Sequence, residues 1–266
     1  MENNYKILLK SKFLKLIQDE VANFNHSVAA DNGDWVVKGF IDIAKNIYTI
    51  SVDTKVISKI MELLIFPDLC SFAAKNNFKI ILSKEQNFYP DITLVDENGH
   101  KYAIDIKSTY RKDDKNVNGM TLGAFTGYFR DRKSSKNITF PYDDYVGHFV
   151  LGIIYTRSEI EINERHIHQI DDLQNIQSVA KDFSFFVQEK YKIAIDRPGS
   201  GNTKNIGGVT KIESLIYGTG PFTELGEELF NDYWTHYLTR EMAKSAELIK
   251  PFYTNLKQYK EFKNLD

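Results

Sequence analysis

With one cysteine, Cys70, among 266 residues, the chain can form no intramolecular disulfide and assemble no cysteine-based zinc site. A cytoplasmic protein is expected. Prolines are few, six in all, and no Pro-, Gly- or Ser-rich tract offers a linker. A single elaborated domain, 1–266, is therefore expected. Long apolar runs are missing too. The longest, around His148–Tyr155, falls well short of the roughly 20 residues a membrane helix needs, and Met1-Glu-Asn-Asn-Tyr5 lacks the basic-then-apolar pattern of a signal peptide. No membrane partner is expected. Nor is there a basic excess: 34 Lys and Arg stand against 36 Asp and Glu, a net charge of −2. This argues against a binder of polyanions that works by bulk positive charge. Positive charge is local instead, at Arg130, Arg132, Lys133 and Lys136 and again at Arg240, Lys244, Lys250, Lys257, Lys260 and Lys263. Each group, taken alone, reads more readily as a solvated face than as a phosphate-binding surface. The six histidines show no ligand spacing beyond His166 and His168, which read as surface residues, so a zinc hydrolase is disfavoured.

What is present is apolar material in quantity: 42% hydrophobic residues, with 18 Phe and 15 Tyr, enough to build a sizeable core. Leu9, Phe13, Leu16, Ile17, Val21 and Phe24 recur at helical spacing and predict an amphipathic helix over Ile7–Phe24. Val36-Val37 and Ile47–Ile50, with Asn46 between them, predict a two-stranded unit within Trp35–Ile50. Asp53 and Thr54 offer N-cap oxygens for a second helix, which Pro67 is expected to interrupt or kink on its way to Ala74. Asp91–Val95 and Lys101–Lys107 alternate with period two around the turn Asp96–His100 and predict a hairpin. Phe149–Tyr155 reads as a buried strand, Phe183–Ile195 as a further β stretch, and helical pattern resumes from Glu224. Helices, hairpin and buried strand together predict an α/β (α+β) fold, a mixed central sheet flanked by helices.

Chemistry concentrates in that hairpin, in Pro90-Asp91 followed after 13 residues by Asp105-Ile106-Lys107. Side chains alternate faces along a strand, so Asp105 and Lys107 share one face while Ile104 and Ile106 enter the core. If Asp96–His100 closes the hairpin, Val95 pairs with Lys101 and Asp91 falls opposite Asp105, with Cβ atoms roughly 4.5–5.5 Å apart. Two opposed carboxylates are unfavourable as structure unless a cation lies between them. A hard divalent ion such as Mg²⁺, bound by oxygens, suits that position and the attack of water on a phosphodiester. Lys107 could stabilise developing negative charge, or help deprotonate water if burial depressed its pKa; alternatively the metal generates the nucleophile. Glu62, in Ile60-Met-Glu-Leu-Leu64, is on spacing alone as readily a solvated residue as a functional one.

Ser51-Val-Asp-Thr-Lys-Val-Ile-Ser58, Glu85-Gln-Asn-Phe-Tyr-Pro-Asp91, Ala103-Ile-Asp-Ile-Lys-Ser-Thr-Tyr110, Thr121-Leu-Gly123, Gly199-Ser-Gly-Asn-Thr203 and Asp232-Tyr-Trp234 occur in this order. In these segments the chain resembles the EcoRV-like Type II restriction endonucleases, members of the PD-(D/E)xK nuclease superfamily. The likeness runs from about Tyr48 to Tyr237, is weakest over Ser158–Lys181 and is faint at both termini. It implies a restriction-endonuclease-like fold, with Asp91, Asp105 and Glu62 at a Mg²⁺ site and Lys107 as the catalytic lysine. It further implies a recognition loop within 199–208, at Gly199, Ser200, Gly201, Asn202, Thr203, Lys204 and Asn205. A second DNA-facing loop carries Gln86 and Asn87, and Lys55, Thr109 and Thr126 match positions near the DNA backbone or the active site. The substrate implied is double-stranded DNA and the assembly a homodimer, with the 35–50 unit as candidate interface. Cleavage is implied at GATATC, leaving blunt ends. The sequence departs from the pattern at Glu85, where the family has an amide, and at Lys204, where it has a small hydroxyl residue. A DNA repair or junction nuclease of the same superfamily is the alternative within the fold, and a catalytically silent DNA-binding relative the alternative outside enzymes.

Overall fold

The structure is a computed structural model that describes residues 2–85, 87–159, 166–199 and 204–265. Helix α1 (Glu2–Val21) starts more than a turn before the expected Ile7, and turns Phe13, Ile17 and Val21 inward at four-residue steps. A single-turn helix α2 (Asn25–Val28) follows. Strands β1 (Gly39–Ile41) and β2 (Ile47–Thr49) form the expected two-stranded unit, with Asn46 donating backbone and side-chain N–H groups to the Asp42 carboxylate across the turn. The first strand lies later than Val36-Val37. Trp35 is fully buried and its backbone N–H donates to Ala180 O at 3.0 Å, which fixes that stretch to another part of the chain.

Helix α3 (Thr54–Lys75) begins at the expected cap: the Asp53 carboxylate accepts from the N–H groups of Lys55 and Val56. Ile57, Met61, Ile65 and Leu69 line its buried face. Pro67 lies inside this helix, which runs on past it to Lys75, so the interruption that was one of the two expected outcomes does not occur. The donor it lacks would have served the carbonyl of Leu63, a residue that is 63% exposed on the outer side of the helix.

Strands β3 (Lys79–Leu82), β4 (Ile92–Val95), β5 (Lys101–Tyr110), β6 (Thr121–Ala124), β7 (Tyr145–Arg157), β8 (Ile167–His168), β9 (Ala180–Glu189), β10 (Ala194–Pro198) and β11 (Asn205–Gly208) follow, and helices α4 (Ile212–Tyr217), α5 (Gly226–His236), α6 (Arg240–Ser245) and α7 (Leu256–Lys263) end the described chain. The central sheet runs β3-β4-β5-β7-β9, antiparallel at each pairing except the parallel β5/β7. Smaller sheets join β1-β2-β8 and β10-β11-β6. This is the mixed sheet flanked by helices that the pattern predicted. No helix among the described residues is long and apolar enough to cross a membrane.

Two cores follow from the period-two alternation of the central strands. Tyr102, Ile104 and Ile106 of β5 and Phe149, Leu151, Ile153 and Tyr155 of β7 join the buried faces of α1 and α3. Ala103 and the Val150 and Ile154 side chains point the other way, into a core shared with Leu122, Ile206, Tyr233 and Trp234. Gly152 lies on this second face, where a Cβ would meet the Phe186 ring at 2.0 Å. The aromatic ring of β9 fills the space that glycine leaves. Asp105 and Lys107, in phase with Ala103, are therefore aimed into the second core's edge, not toward α1 and α3.

Candidate active site

Register places the carboxylates. Val95 pairs with Lys101 and Ile92 with Ile104, so Asp91, one residue beyond β4, falls opposite Asp105. The ladder does not continue there through backbone bonds alone: Asp91 Oδ2 accepts the Ile106 N–H at 2.7 Å. One side-chain oxygen thus anchors Asp91 to β5 and leaves the other available. Lys107 Nζ lies 2.8 Å from Asp105 Oδ1 and 3.8 Å from Asp91 Oδ2, and donates to Ile106 O at 3.0 Å. The two carboxylates and the ammonium expected from the spacing do meet.

Their environments differ. The Asp105 side chain is 8% exposed and its Oδ2 has no hydrogen-bonding partner among the described residues, whereas Asp91 is 35% exposed. Burial, and after it the Asp105 charge, pushes the Asp91 carboxyl up to about 7, against the opposing pull of Lys107. Burial also works against the Lys107 ammonium, but Asp105 and Asp91 outweigh it and hold its pKa above the ordinary lysine value. The depressed lysine that the sequence left open is therefore not what the site makes, because two anions lie beside the cation. A buried oxygen without a donor and a carboxylate raised towards neutrality by burial and by its neighbour both fit a hard divalent cation, whose charge would relieve each. The donor set is two carboxylates, and no group of three or more His, Cys, Asp or Glu able to hold a metal occurs among the described residues.

Asp91 borders two grooves. One, of about 900 Å³, is lined by Asp91, Asp105 and Lys107 together with Asn87, Thr126 and Asn205. The other, of about 800 Å³, lies along α3 and contains Asp91 with Glu62, Lys55, Ser108 and Thr109. Glu62 thus shares a groove with Asp91 only. Its carboxylate pairs with Lys59 at 2.7 Å, yet its charge helps raise both Asp91 and Lys107. Thr109 is buried and spends its hydroxyl on Asn118 O at 2.6 Å. At the base of the candidate recognition loop, Gly199 N–H donates to Asn205 O, Phe125 N–H donates to Lys204 O, and Lys204 is exposed. A Cβ on Gly199 would meet Thr121 Cγ2 at 2.6 Å, so glycine permits this close approach of β10 to β6. Ser200, Gly201, Asn202, Thr203 and Gln86 lie outside the described residues.

Sequence reasoning missed the surroundings of Asp105. Tyr128 lines the groove with it, and burial followed by the charges of Asp105 and Asp91 raises the phenol's pKa. Tyr89 donates to or accepts from buried His148 Nδ1 at 2.9 Å, tying the residue before Pro90 to β7. Lys190 is 1% exposed and has no hydrogen-bonding partner among the described residues. Only its place at the end of an apolar β run, Phe183–Ile195, could have drawn notice.

Comparison with known proteins shows the family of the chain. The family model described as restriction endonuclease EcoRV matches residues 31–264. The Type II restriction enzyme EcoRV of Escherichia coli is 34% identical over 235 residues, covering 87% of this chain and 92% of that one. Among solved structures, the NlaIV restriction endonuclease aligns over 88% of this chain and 89% of its own at 13% identity, with a TM-score of 0.40. The sequence matches span most of the chain and include every element of the carboxylate–lysine hairpin, and on them the chain belongs to the EcoRV family of Type II restriction endonucleases, the site-specific deoxyribonucleases.

Proposed function

We propose that the protein hydrolyses double-stranded DNA in a Mg²⁺-dependent reaction at GATATC, cutting at the centre to leave blunt ends, and acts as a homodimer. The observation that carries the chemistry is the meeting of Asp91, Asp105 and Lys107 at the open end of one hairpin. Asp91 and Asp105 would hold Mg²⁺, with Glu62 acting from the adjoining groove. Bound there, the ion supplies Lewis-acid charge to the scissile phosphate and the attacking water. Lys107, held charged by its neighbours and oriented by Asp105 and Ile106 O, stabilises the negative charge that grows on the phosphoryl oxygens.

Lys55 and Thr109 on one side of Asp91, and Asn87, Thr126 and Asn205 on the other, line grooves in which a DNA backbone would lie. Gly199, Ser200, Gly201, Asn202, Thr203, Lys204 and Asn205 would read the outer bases, where asparagine can pair with adenine and the threonine methyl with thymine. The central TA step is soft and can be selected through the energy of bending. Two-fold DNA calls for a two-fold protein, since one catalytic set cuts one strand at a time. Support for the interface comes from the β1-β2-β8 sheet, where Phe40, Ile41, Tyr48 and Ile167 are between 41% and 58% exposed and the turn residue Ile43 fully so.

The test is digestion of DNA of known sequence in Mg²⁺ with sequencing of the cut ends. Blunt ends at the centre of GATATC are expected. Another hexamer or staggered ends would remove the site assignment, and uncut DNA would remove the proposed catalytic chemistry. A monomer mass both with and without DNA would remove the dimer.

A further inference from the structure

Lys190 is the buried group that this chemistry does not use. Asp105 pairs with Val150 across β5/β7, and Val150 with Gln188 across β7/β9, so Gln188, two residues before Lys190, shares the face of Asp105 two strands away. The Lys190 ammonium lies under that face, 5.0 Å from the Tyr89 ring centroid and 5.6 Å from that of Phe129. It is 3.5 Å from where a Cβ on Gly123 would stand, and Gly123 itself lines the groove that holds Asp105 and Lys107. Its Nζ and Asp105 Oδ2 are both buried without a hydrogen-bonding partner among the described residues.

A buried ammonium without an acceptor is unfavourable, and methionine would fill similar space without the desolvation. What the charge does is electrostatic. Burial brings the ammonium down to about 8, Asp105 opposes that fall, and Lys107 and Arg132 add to it, so these groups share one local field. Asp105 then lies in the field of two ammoniums, Lys107 and Lys190.

Resting on the reading of Asp91 and Asp105 as the metal site, we propose that Lys190 is a buried counter-charge to that pair, a positioning residue that offsets their repulsion and lowers their affinity for a divalent cation in the absence of DNA. The same charge that steadies the two carboxylates competes with the ion they bind.

The experiment is calorimetric titration of the DNA-free full-length protein with Ca²⁺ at pH 7.5, where Lys190 and Asp91 are both mostly charged, alongside K190M, K190Q and D105N and with a thermal melt of each. K190M and K190Q should bind Ca²⁺ at least about tenfold more tightly than wild type while melting no lower, because a nearby positive charge has been removed. An unchanged or weaker Kd in the two folded lysine variants overturns the proposal, since a merely structural Lys190 would move the melt and leave the Kd alone. D105N separates this from the underlying reading: no Ca²⁺ binding by wild type and both lysine variants alike, or D105N that binds it as well as wild type, overturns the metal site itself. Should neither lysine variant fold, the assigned ¹⁵Nζ resonance of Lys190 in the wild-type protein decides. It should shift as Ca²⁺ is added, and a resonance that stays still while Ca²⁺ binds overturns the proposal.

Discussion

The two grooves that meet at Asp91 are built by different means. In the groove with Asp105 and Lys107, strand alternation fixes which side chains face the reacting space, and a one-residue slip would send all of them into the opposite core. In the groove with Glu62 and Lys55, placement depends on the rotation of α3 against the sheet, set by Ile57, Met61, Ile65 and Leu69. Sheet register is discrete, whereas helix packing is graded. Groups in the first groove should therefore be indispensable and those in the second should tune.

The sharpest way to break that contrast is to remove a carboxylate. Asp91→Ala and Asp105→Ala should fold as the wild type does and lose cleavage by roughly a thousandfold or more, because these side chains serve the reaction and not the core. Circular dichroism and a timed plasmid digest check this. Cleavage at the wild-type rate in either variant would mean the hairpin end is not the active site. Lys107→Gln should fall next, by about a hundredfold or more in kcat, with DNA affinity little changed. A larger effect on Kd than on kcat would make Lys107 a binding group.

Acid should act through Asp91. Its pKa is raised to about 7, so below that pH a proton competes for the ligand oxygen, and at sub-saturating Mg²⁺ the rate should drop by about tenfold per pH unit. Raising Mg²⁺ should carry the inflection to lower pH. An inflection that does not move with Mg²⁺ would assign the titration to another group. Glu62→Gln, in the second groove, should cost about tenfold in rate and lower that inflection, since its charge helps keep Asp91 protonated. Loss as severe as that of Asp105→Ala would overturn the division between the grooves. The smallest effect is expected of Lys204→Thr: a weaker, less salt-sensitive Kd with the slope reduced by about one, and the same cut sequence. A changed sequence would make Lys204 a base reader.

Much of this was legible beforehand. The five-residue turn Asp96–His100 fixed the register, and the register put Asp91 opposite Asp105 with Lys107 on the same face. Asp53 announced its cap and Asn46 its turn. What was hidden depends on distant packing. Nothing in Val36-Val37 shows that Trp35 is tied to Ala180, and nothing around Pro67 shows that the helix runs on past it. Helix α4 is only six residues long and gave too little periodicity to be read. The net charge on Lys107 was open because its sign of shift depends on how two carboxylates weigh against burial. Lys190 is a lysine within an apolar run, and only the fold brings it against Gly123, which lines the groove of Asp105.

The central claim is that the two opposed carboxylates make a cation-dependent nuclease, and plasmid cleavage in Mg²⁺ against EDTA, with wild type and Asp105→Asn side by side, tests it most directly. The account predicts cutting only by the wild type, only in Mg²⁺, and its return when excess Mg²⁺ is restored after chelation. Cutting in EDTA, or by folded Asp105→Asn at the wild-type rate, would contradict it.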